Sequence, residues 1–204
     1  MNLSILVCST HTRRNTFLPS SLNSLYSQWE NLPLDIRDQV EIIFLVDNKK
    51  MMLGHKRNVM VEMAQGEYVV FIDDDDIITD DYISSIIKSM VFNTDVISFL
   101  VSVTLNGSEP KICKYSIMFD EDHNTETEYH RLPNHICAIR RSLALQVKYP
   151  SIPYGEDSGF SKAIHPLLKS EYIIEKVLYH YVYNQDTTET QMHLKTKKKL
   201  KWRR

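Results

Sequence analysis

One segment of this chain joins a buried strand to a dense negative charge. Residues 66–72 are mostly apolar and rich in β-branched and aromatic side chains, which is typical of a strand buried on both faces. Asp73, Asp74, Asp75 and Asp76 follow at once. Because an unpaired ionised carboxylate is costly to bury, these aspartates must lie at the carboxyl edge of a sheet, in water or around a cation. That edge is where open α/β sheets bind their ligands.

Consecutive carboxylates at such an edge predict a site for a divalent cation. Hard oxygen ligands suit Mg²⁺ or Mn²⁺, and these ions commonly bridge a protein to phosphate groups. A solvated strand-to-helix turn is the alternative, but like charges on consecutive residues repel one another and destabilise a loop that binds nothing. The segment therefore predicts a metal-assisted phosphate or nucleotide site.

The length and the charge distribution bound the class of protein. A chain of 204 residues suits one domain, and we assign residues 1–190 to it and residues 191–204 to a basic C-terminal tail. Residues 195–204 contain seven basic side chains and no acidic one, whereas the preceding residues contain 17 basic and 26 acidic ones. Such a tail, with Trp202 in it, indicates contact with an anionic membrane surface or with nucleic acid; a solvated terminus is the alternative.

The cysteines and the N-terminal residues indicate the compartment. Cys8, Cys113 and Cys137 are odd in number and lack CxxC spacing, so neither a disulfide scaffold nor a zinc knuckle is expected. No signal-peptide pattern is evident, and no apolar stretch reaches the ~18 residues of a spanning helix. We therefore expect a cytoplasmic protein, with the basic tail as a route to a membrane surface.

Strand and helix patterns alternate over the first hundred residues. This alternation predicts an α/β fold with a mostly parallel central sheet flanked by helices. Thr79 is expected to be the N-cap of the third helix. The predicted elements are strands at 3–8, 40–46 and 66–72 and helices at 18–29, 52–64 and 79–90.

The second half of the chain predicts a small antiparallel portion. Residues 96–105 and 111–118 are strand-like, and the Asn-Gly pair between them is a hairpin turn signal. Residues 119–131 are polar and acidic and predict a loop. The remaining predicted elements are a short strand at 135–139, a helix at 156–168 and an aromatic strand at 172–183.

Several motifs together resemble those of a known family. Residues 54–58 (Gly-His-Lys-Arg-Asn) precede residues 64–76, which run from Ala-Gln-Gly-Glu-Tyr to the aspartates. Residues 24–28 (Ser-Leu-Tyr-Ser-Gln) and residues 154–157 (Tyr-Gly-Glu-Asp) add to the match. The combination resembles family 2 glycosyltransferases of the GT-A fold over residues 3–185.

The resemblance implies a fold, a reaction and a cofactor. It implies a GT-A domain with residues 1–105 as its nucleotide-binding half and residues 106–190 as its acceptor-side half. The implied reaction is a metal-dependent, inverting transfer of a sugar from a nucleotide-sugar, with a UDP-sugar as donor, to a hydroxyl. The acceptor would be a glycan, a lipid-linked sugar or another hydroxyl compound. The implied cofactor is Mn²⁺ or Mg²⁺ at a DXD motif within the aspartates.

The resemblance also implies roles for residues of the nucleotide half. Thr10 and Asp47 would line the nucleobase pocket, and Arg57 would lie near the base or the phosphates. Asp73 and Asp74 would face the ribose and the metal. Strand-end capping is the alternative for Thr10 and Asp47, and a solvated helix face is the alternative for Arg57.

A second group of residues is implied to bind the metal. Asp75 would be its direct ligand, with Asp73 beside it. His180 would be the late histidine that completes the metal shell in many GT-A enzymes. The alternative for His180 is a hydrogen-bonded residue on a half-buried strand, where it shares one face with Leu178 and Val182.

Glu156 and Asp157 are implied to form the acceptor side. Acids in a first helical turn complement the helix dipole and need no other purpose. An inverting transfer, however, needs one base that takes the proton from the acceptor hydroxyl. The resemblance makes Asp157 that base and places Glu156 beside the acceptor. Residues 11–15 replace the family's Asn-Arg, which leaves open whether Arg13 or Arg14 corresponds to it.

Two other functions remain open from the sequence. Carboxylates at strand ends also serve Mg²⁺-dependent phosphohydrolases and nucleotidyltransferases, but no GxxxxGK[ST] loop is present. A catalytically degenerate, nucleotide-binding scaffold module is the non-enzymatic alternative. The presence of Asp75 and Asp157 argues against it.

Overall fold

The structure is a computed structural model that describes residues 2–184. The predicted basic tail at residues 191–204 lies outside the described residues. The predicted tail contacts, including that of Trp202, therefore stay predictions.

The described residues form alternating strands and helices. The strands are β1 (Leu3–Thr10), β2 (Val40–Asp47), β3 (Tyr68–Asp73), β4 (Ile77–Ile78), β5 (Val96–Leu105), β6 (Lys111–Tyr115), β7 (His123–Asn124), β8 (Glu128–Arg131), β9 (Ala138–Arg140) and β10 (Glu171–Tyr183). The helices are α1 (Leu18–Glu30), α2 (Leu34–Arg37), α3 (Leu53–Met63), α4 (Tyr82–Ser89), α5 (Arg141–Ala144) and α6 (Glu156–Ile164). Single 3-10 turns lie at His11–Arg13, Met90–Phe92 and His165–Leu167. In residues 2–184 no helix combines the length and the apolar character needed to cross a membrane.

The strands form one mostly parallel sheet. Its order is β2-β1-β3-β9-β5-β6-β8-β7, and β10 pairs with β5 and β4. The long pairings of β1 with β2 and β3, and of β5 with β10, are parallel. The antiparallel pairings each join only two or three residues. The predicted α/β fold is therefore confirmed, although the second half also contributes the parallel pairs β5–β10 and β6–β8.

Strand β1 lies between β2 and β3 at one end of the sheet. All of its residues are buried, because β2 and β3 flank it and helices cover its faces. Helices α1 and α4 pack together, and Gln28 on α1 joins them by accepting from the Ile83 N–H (3.1 Å) and donating to the Thr79 carbonyl (2.9 Å). Because β1 and β3 are parallel neighbours, their carboxyl ends lie side by side at the edge that carries the aspartates.

Three local predictions need correction. Helix α4 has Asp81 rather than Thr79 as its N-cap, and the Thr79 hydroxyl instead donates to Asp81 Oδ1 (3.0 Å). The segment 119–131 is more than a loop, because β7 and β8 form within it and β8 pairs with β6. The strand expected at 135–139 is present as β9, which begins three residues later and ends one residue later. The bounds of β8 and β9 depend on pairing with β6, β3 and β5, which are distant in sequence and which local patterns do not reveal.

Gly66 allows the entry to β3 to approach β1 closely. A Cβ atom at this position would lie 2.5 Å from Ser4 N and 2.7 Å from Leu3 C, both backbone atoms of buried β1. Gly66→Ala should lower the free energy of unfolding by about 1–3 kcal/mol, since a rigid strand cannot move aside. Urea denaturation followed by circular dichroism measures this change. The neighbouring exposed Gln65→Ala is the matched control, and equal stability of the two variants would contradict the packing argument.

Candidate functional site

The candidate site lies at the carboxyl edge shared by β1 and β3. Cys8 of β1 is paired with Asp73 of β3, so the residues that follow each strand meet at one place. A cavity of about 650 Å³ opens there. Of the predicted site residues, those that line it are Thr10, Asp73, Asp74, Asp75, Glu156 and Asp157. The structure thus brings acids from two distant parts of the chain to one cavity.

Arg57 connects the strand edge to helix α6. Its guanidinium donates to Asp73 Oδ1 (2.9 Å) and to Glu156 Oε1 (3.0 Å) and is only 2% exposed. Burial alone would raise the pKa of Asp73, but Arg57 and then His135, whose Nε2 lies 3.3 Å from Asp73 Oδ2, lower it below its ordinary range. Asp73 is therefore an anion held from two sides. Arg57 lies behind it rather than on the wall of the cavity.

Arg13 spans the next two aspartates. Its Nη2 atom lies 2.9 Å from Asp74 Oδ1 and 2.7 Å from Asp75 Oδ2. Asp74 is buried and also accepts a hydrogen bond from the Ser9 hydroxyl. Burial raises the pKa of Asp74 to about 6, and the charges of its aspartate neighbours add to the effect of burial, while Ser9 and Arg13 oppose it. Asp75 is 31% exposed and Asp73 30% exposed, whereas Asp74 is buried, so Asp75 is one of the carboxylates of the cluster that a ligand can reach.

Asp76 is held by strand β10. The Tyr179 hydroxyl donates to Asp76 Oδ2 (2.8 Å) and accepts from the Asp73 N–H (3.1 Å), and the Val182 N–H donates to Asp76 Oδ1 (3.2 Å). Burial raises the pKa of Asp76 well above its ordinary value, and the charges of Asp73 and Asp75 act in the same direction. Asp76 thus has a structural role, because it connects the loop after β3 to strand β10.

Asp47 and Lys56 form a pair beside the cavity. Lys56 is 3% exposed, and its ammonium donates to Asp47 Oδ1 (2.6 Å) and to the Ser9 carbonyl (2.8 Å). Asp47 Oδ2 accepts from the backbone N–H groups of Lys50 (2.8 Å) and Met51 (2.9 Å). Lys56 and Met51 line the cavity, whereas Asp47 lies behind them. Asp47 therefore shapes the loop at this wall.

Glu156 and Asp157 begin helix α6 on the opposite wall. Gly54 at the start of α3 allows this region to come close, since a Cβ there would lie 2.1 Å from the Pro150 carbonyl oxygen. Glu156 is buried, and burial raises its pKa while Arg57 opposes the rise. Asp157 is partly exposed, and its Oδ1 accepts from the Ser158 N–H (2.7 Å). The more open carboxylate of the two is thus Asp157.

His180 is not brought to the cavity. In the regular end of β10, Tyr179 and Tyr181 share the face that meets the aspartates, so the intervening His180 lies on the other face. Its pairing residue is Ile77 of β4. Sequence reasoning also missed the roles of Lys56 and His135. Lys56 belongs to the motif at residues 54–58, which could have indicated its role. No local sequence pattern indicated a role for His135.

The carboxylates fit a site for a divalent cation whose coordination shell is completed by a phosphate-bearing ligand. In residues 2–184 no group of three or more His, Cys, Asp or Glu side chains is arranged to hold a metal by itself. Mg²⁺, however, is usually held by one or two carboxylates together with substrate phosphates. Asp75, which is partly exposed at the cavity and lies next to Asp73, offers such oxygen donors.

Comparison with known proteins assigns the chain to a family. The model of the family described as "Glycosyl transferase family 2" matches residues 35–147, more than half of the chain. EpsH of Bacillus subtilis (strain 168), provisionally named as a glycosyltransferase, is 27% identical over 155 residues, which are 63% of this chain and 41% of EpsH.

Solved structures show a similar fold. The fragment 1–349 of S. aureus TarS in complex with UDP-GlcNAc has a TM-score of 0.64 at 19% identity, over 90% of this chain and 59% of the fragment. The same fragment in complex with UDP has a TM-score of 0.63, over 91% of this chain and 62% of the fragment. This chain therefore spans less than two thirds of EpsH and of the TarS fragment. The likeness confirms the predicted fold.

The Asp47–Lys56 pair makes a pH-dependent contribution to stability. Burial alone would raise the pKa of Asp47, but the hydrogen bonds from Lys56, Met51 and Lys50 lower it to about 2. A lowered pKa stabilises the fold at pH values above the ordinary aspartate pKa of 3.8, and that contribution is lost as pH falls from about 4 to about 2.

Asp47→Asn should therefore lower the free energy of unfolding at pH 7 by about 1–3 kcal/mol, because a charged acceptor is lost. The difference from the native chain should shrink below pH 4. Thermal denaturation at pH values from 3 to 8 checks this, with exposed Asp35→Asn as the control. A difference that stays constant with pH would show that the Asp47 charge is not responsible.

Proposed function

Because this chain belongs to glycosyl transferase family 2, we propose that it transfers a sugar, with inversion, from a nucleotide-sugar to an acceptor hydroxyl. One observation carries the proposal. A single cavity is lined by Asp73, Asp74 and Asp75 on one wall and by Glu156 and Asp157 on the other. An exposed carboxylate for the diphosphate side and another for the acceptor side therefore face the same space.

A UDP-sugar is the proposed donor. TarS, whose fold this chain shares, has been crystallised with UDP and with UDP-GlcNAc. In this chain Thr10, Met51 and Lys56 line the part of the cavity that Asp47 supports from behind. We assign the nucleobase and ribose to this part, with Asp74 beside it.

Asp75, with Asp73 beside it, is the proposed protein ligand for Mn²⁺ or Mg²⁺. A divalent cation bound there would neutralise the negative charge that develops on the diphosphate leaving group. Arg13 neutralises Asp74 and Asp75 in the described structure and is the residue that a bound cation would compete with. We leave His180 out of the proposed metal shell, because it does not line the cavity.

Asp157 is the proposed base. The acceptor oxygen attacks the anomeric carbon, the bond from that carbon to the diphosphate oxygen breaks, and the diphosphate leaves with the electron pair. The proton of the acceptor hydroxyl passes to the Asp157 carboxylate. Glu156, fixed by Arg57, lies next to the acceptor side and holds the start of α6 in place. Direct attack on the anomeric carbon from the side opposite the leaving group inverts its configuration.

The assignment of Asp75 can be tested without turnover. Asp75→Asn should weaken UDP binding in the presence of Mn²⁺ by roughly tenfold or more, because a neutral amide is a poorer ligand for a hard cation. Calorimetric titration with UDP, with and without Mn²⁺, measures this. Asp80→Asn is the matched control, since Asp80 is exposed and lies off the cavity. Unchanged Mn²⁺-dependent binding by the Asp75 variant would refute the ligand assignment.

If Asp157 is the base, its replacement should lower the turnover rate but leave the affinity for UDP unchanged. Asp157→Asn should lower kcat by about 10²–10⁴-fold, the usual contribution of a general base, and leave UDP affinity unchanged. Donor turnover is measured as UDP release from a panel of UDP-sugars, and affinity is measured by calorimetry. Exposed Asp35→Asn is the control. Parallel losses of turnover and UDP affinity would rule out a role confined to proton transfer.

The same assay separates the proposal from phosphoryl transfer. A glycosyltransferase releases UDP and a sugar or glycoside, whereas a phosphohydrolase acting on the pyrophosphate releases UMP and a sugar phosphate. Chromatography of the products distinguishes these outcomes. Formation of UMP by the native chain would favour the phosphohydrolase.

A further inference from the structure

A second cavity, of about 560 Å³, adjoins the first. The two share the residues Leu53, Asp73, Glu156, Asp157 and Tyr181 as a common wall. Its volume lies within the range of ~300–1,000 Å³ that is usual for small-molecule sites. Since the proposed base stands between the cavities, a hydroxyl of a molecule in the second cavity can approach a donor in the first. This placement rests on the proposed function.

The floor of the second cavity is mainly apolar. It is formed by one face of the neighbouring strands β5, β6 and β8, and Leu132 and Ile136 extend it. Apolar side chains cannot form hydrogen bonds with the polar groups of a ligand. This surface therefore suits the C–H face of a ring. The floor residues are Val101, Val103, Leu105, Cys113, Tyr115 and Tyr129.

The rim of the second cavity carries neutral polar groups. Asn124, Asn134 and Ser158 line it, and an amide or a hydroxyl can both donate and accept hydrogen bonds. Tyr129 and Tyr181 are partly exposed and present both an aromatic ring and a phenolic hydroxyl. A ligand with an apolar face and several hydroxyl groups satisfies this combination. A pyranose ring has that chemistry.

The charges of the second cavity disfavour an anion. Its lining contains the carboxylates Asp73, Asp122, Glu156 and Asp157 but only two guanidinium groups. That of Arg57 is engaged by Asp73 and Glu156, as described above. That of Arg131 donates to the backbone carbonyls of His123 (2.9 Å) and His130 (2.8 Å). The four carboxylates therefore outnumber the two guanidinium groups, and Arg57 does not offer a ligand the open fork that binds phosphate or carboxylate groups in other proteins.

From these observations we infer that the second cavity binds an uncharged sugar unit of the acceptor and discriminates against anionic acceptors. The apolar floor receives one face of the ring, the asparagine and tyrosine groups bind its hydroxyls, and the excess of carboxylates repels phosphate and uronate groups. The acceptor class is therefore a neutral glycan or glycoside, rather than a polyphosphate or a nucleic acid.

Matched pairs of glycosides test the inference. The native chain, saturated with UDP and Mg²⁺, is examined by saturation-transfer NMR with p-nitrophenyl glycosides of glucose, galactose, mannose and N-acetylglucosamine, and with p-nitrophenyl glucuronide. At least one neutral glycoside should bind roughly fivefold more tightly than the glucuronide, or better, because a like charge placed near the carboxylates is repelled. Binding of the glucuronide as tightly as the neutral compounds, or of none of them, would overturn the inference.

Two variants locate the binding. Tyr129→Leu keeps the floor apolar but removes the ring, and should weaken binding of the neutral glycoside roughly two- to tenfold. Tyr26→Leu is the control. Tyr26 is an exposed residue of α1 that lines neither cavity, so this variant should bind the glycoside as the native chain does. Equal effects of the two would place the glycoside elsewhere and overturn the inference.

Asp122→Asn provides the charge test. Asp122 Oδ1 accepts from the Leu132 N–H (2.9 Å), and an asparagine oxygen can keep that hydrogen bond. The variant should bind the glucuronide more tightly than the native chain does and bind the neutral glycoside equally well. An unchanged preference would contradict repulsion by the lining carboxylates.

Calorimetry with UDP separates this inference from the proposed function. Normal UDP binding combined with a failed glycoside test would refute only the acceptor class. Absence of UDP binding would refute the donor assignment itself, and the glycoside results would then be judged on the second cavity alone.

Discussion

The buried guanidinium of Arg57 is the interaction on which the candidate site depends. It joins Asp73, at the end of β3, to Glu156, which lies at the start of α6 and is 99 residues from Arg57 in sequence. Its carbon Cζ lies 5.6 Å from the ring centres of both Phe71 and Tyr149. Burial by itself would favour the neutral form of Arg57, but Asp73 and the other nearby groups raise its pKa above the ordinary value. A buried cation of this kind is stable only with its carboxylates in place, so one network positions the cavity wall at the end of β3 and the wall at the start of α6.

The same principle explains how consecutive aspartates can coexist at one strand end. Arg57 and His135 contact Asp73, Ser9 contacts Asp74, Tyr179 contacts Asp76, and Arg13 is shared by Asp74 and Asp75. These partners offset the mutual repulsion of the carboxylates locally. Asp73 and Asp75 stay partly exposed, whereas Asp74 is buried. The four aspartates therefore differ in their surroundings and in how far a ligand can reach them.

Much of the N-terminal half was predictable, because its signals are local. Buried parallel strands leave continuous apolar runs, and α3 and α4 show helical spacing, so β1, β2, β3 and these helices agree with expectation. Elements stabilised by distant partners were missed. Strands β7 and β8 lie in a polar segment, and β8 exists because β6 offers it an edge. His180 was expected at the metal, but strand alternation turns Tyr179 and Tyr181 toward the aspartates instead.

The sequence alone determined that an α/β sheet carries acids at one strand end and that a second acidic pair opens a later helix. Those features follow from local chemistry, since burial cost, periodicity and turn preferences act over a few residues. Only the tertiary structure decided which acids share a cavity, which are neutralised by buried cations, and that a second, largely apolar cavity adjoins Asp157. These properties depend on the distances between β3, α6 and the β5–β6–β8 face, which chain folding sets and no local pattern contains.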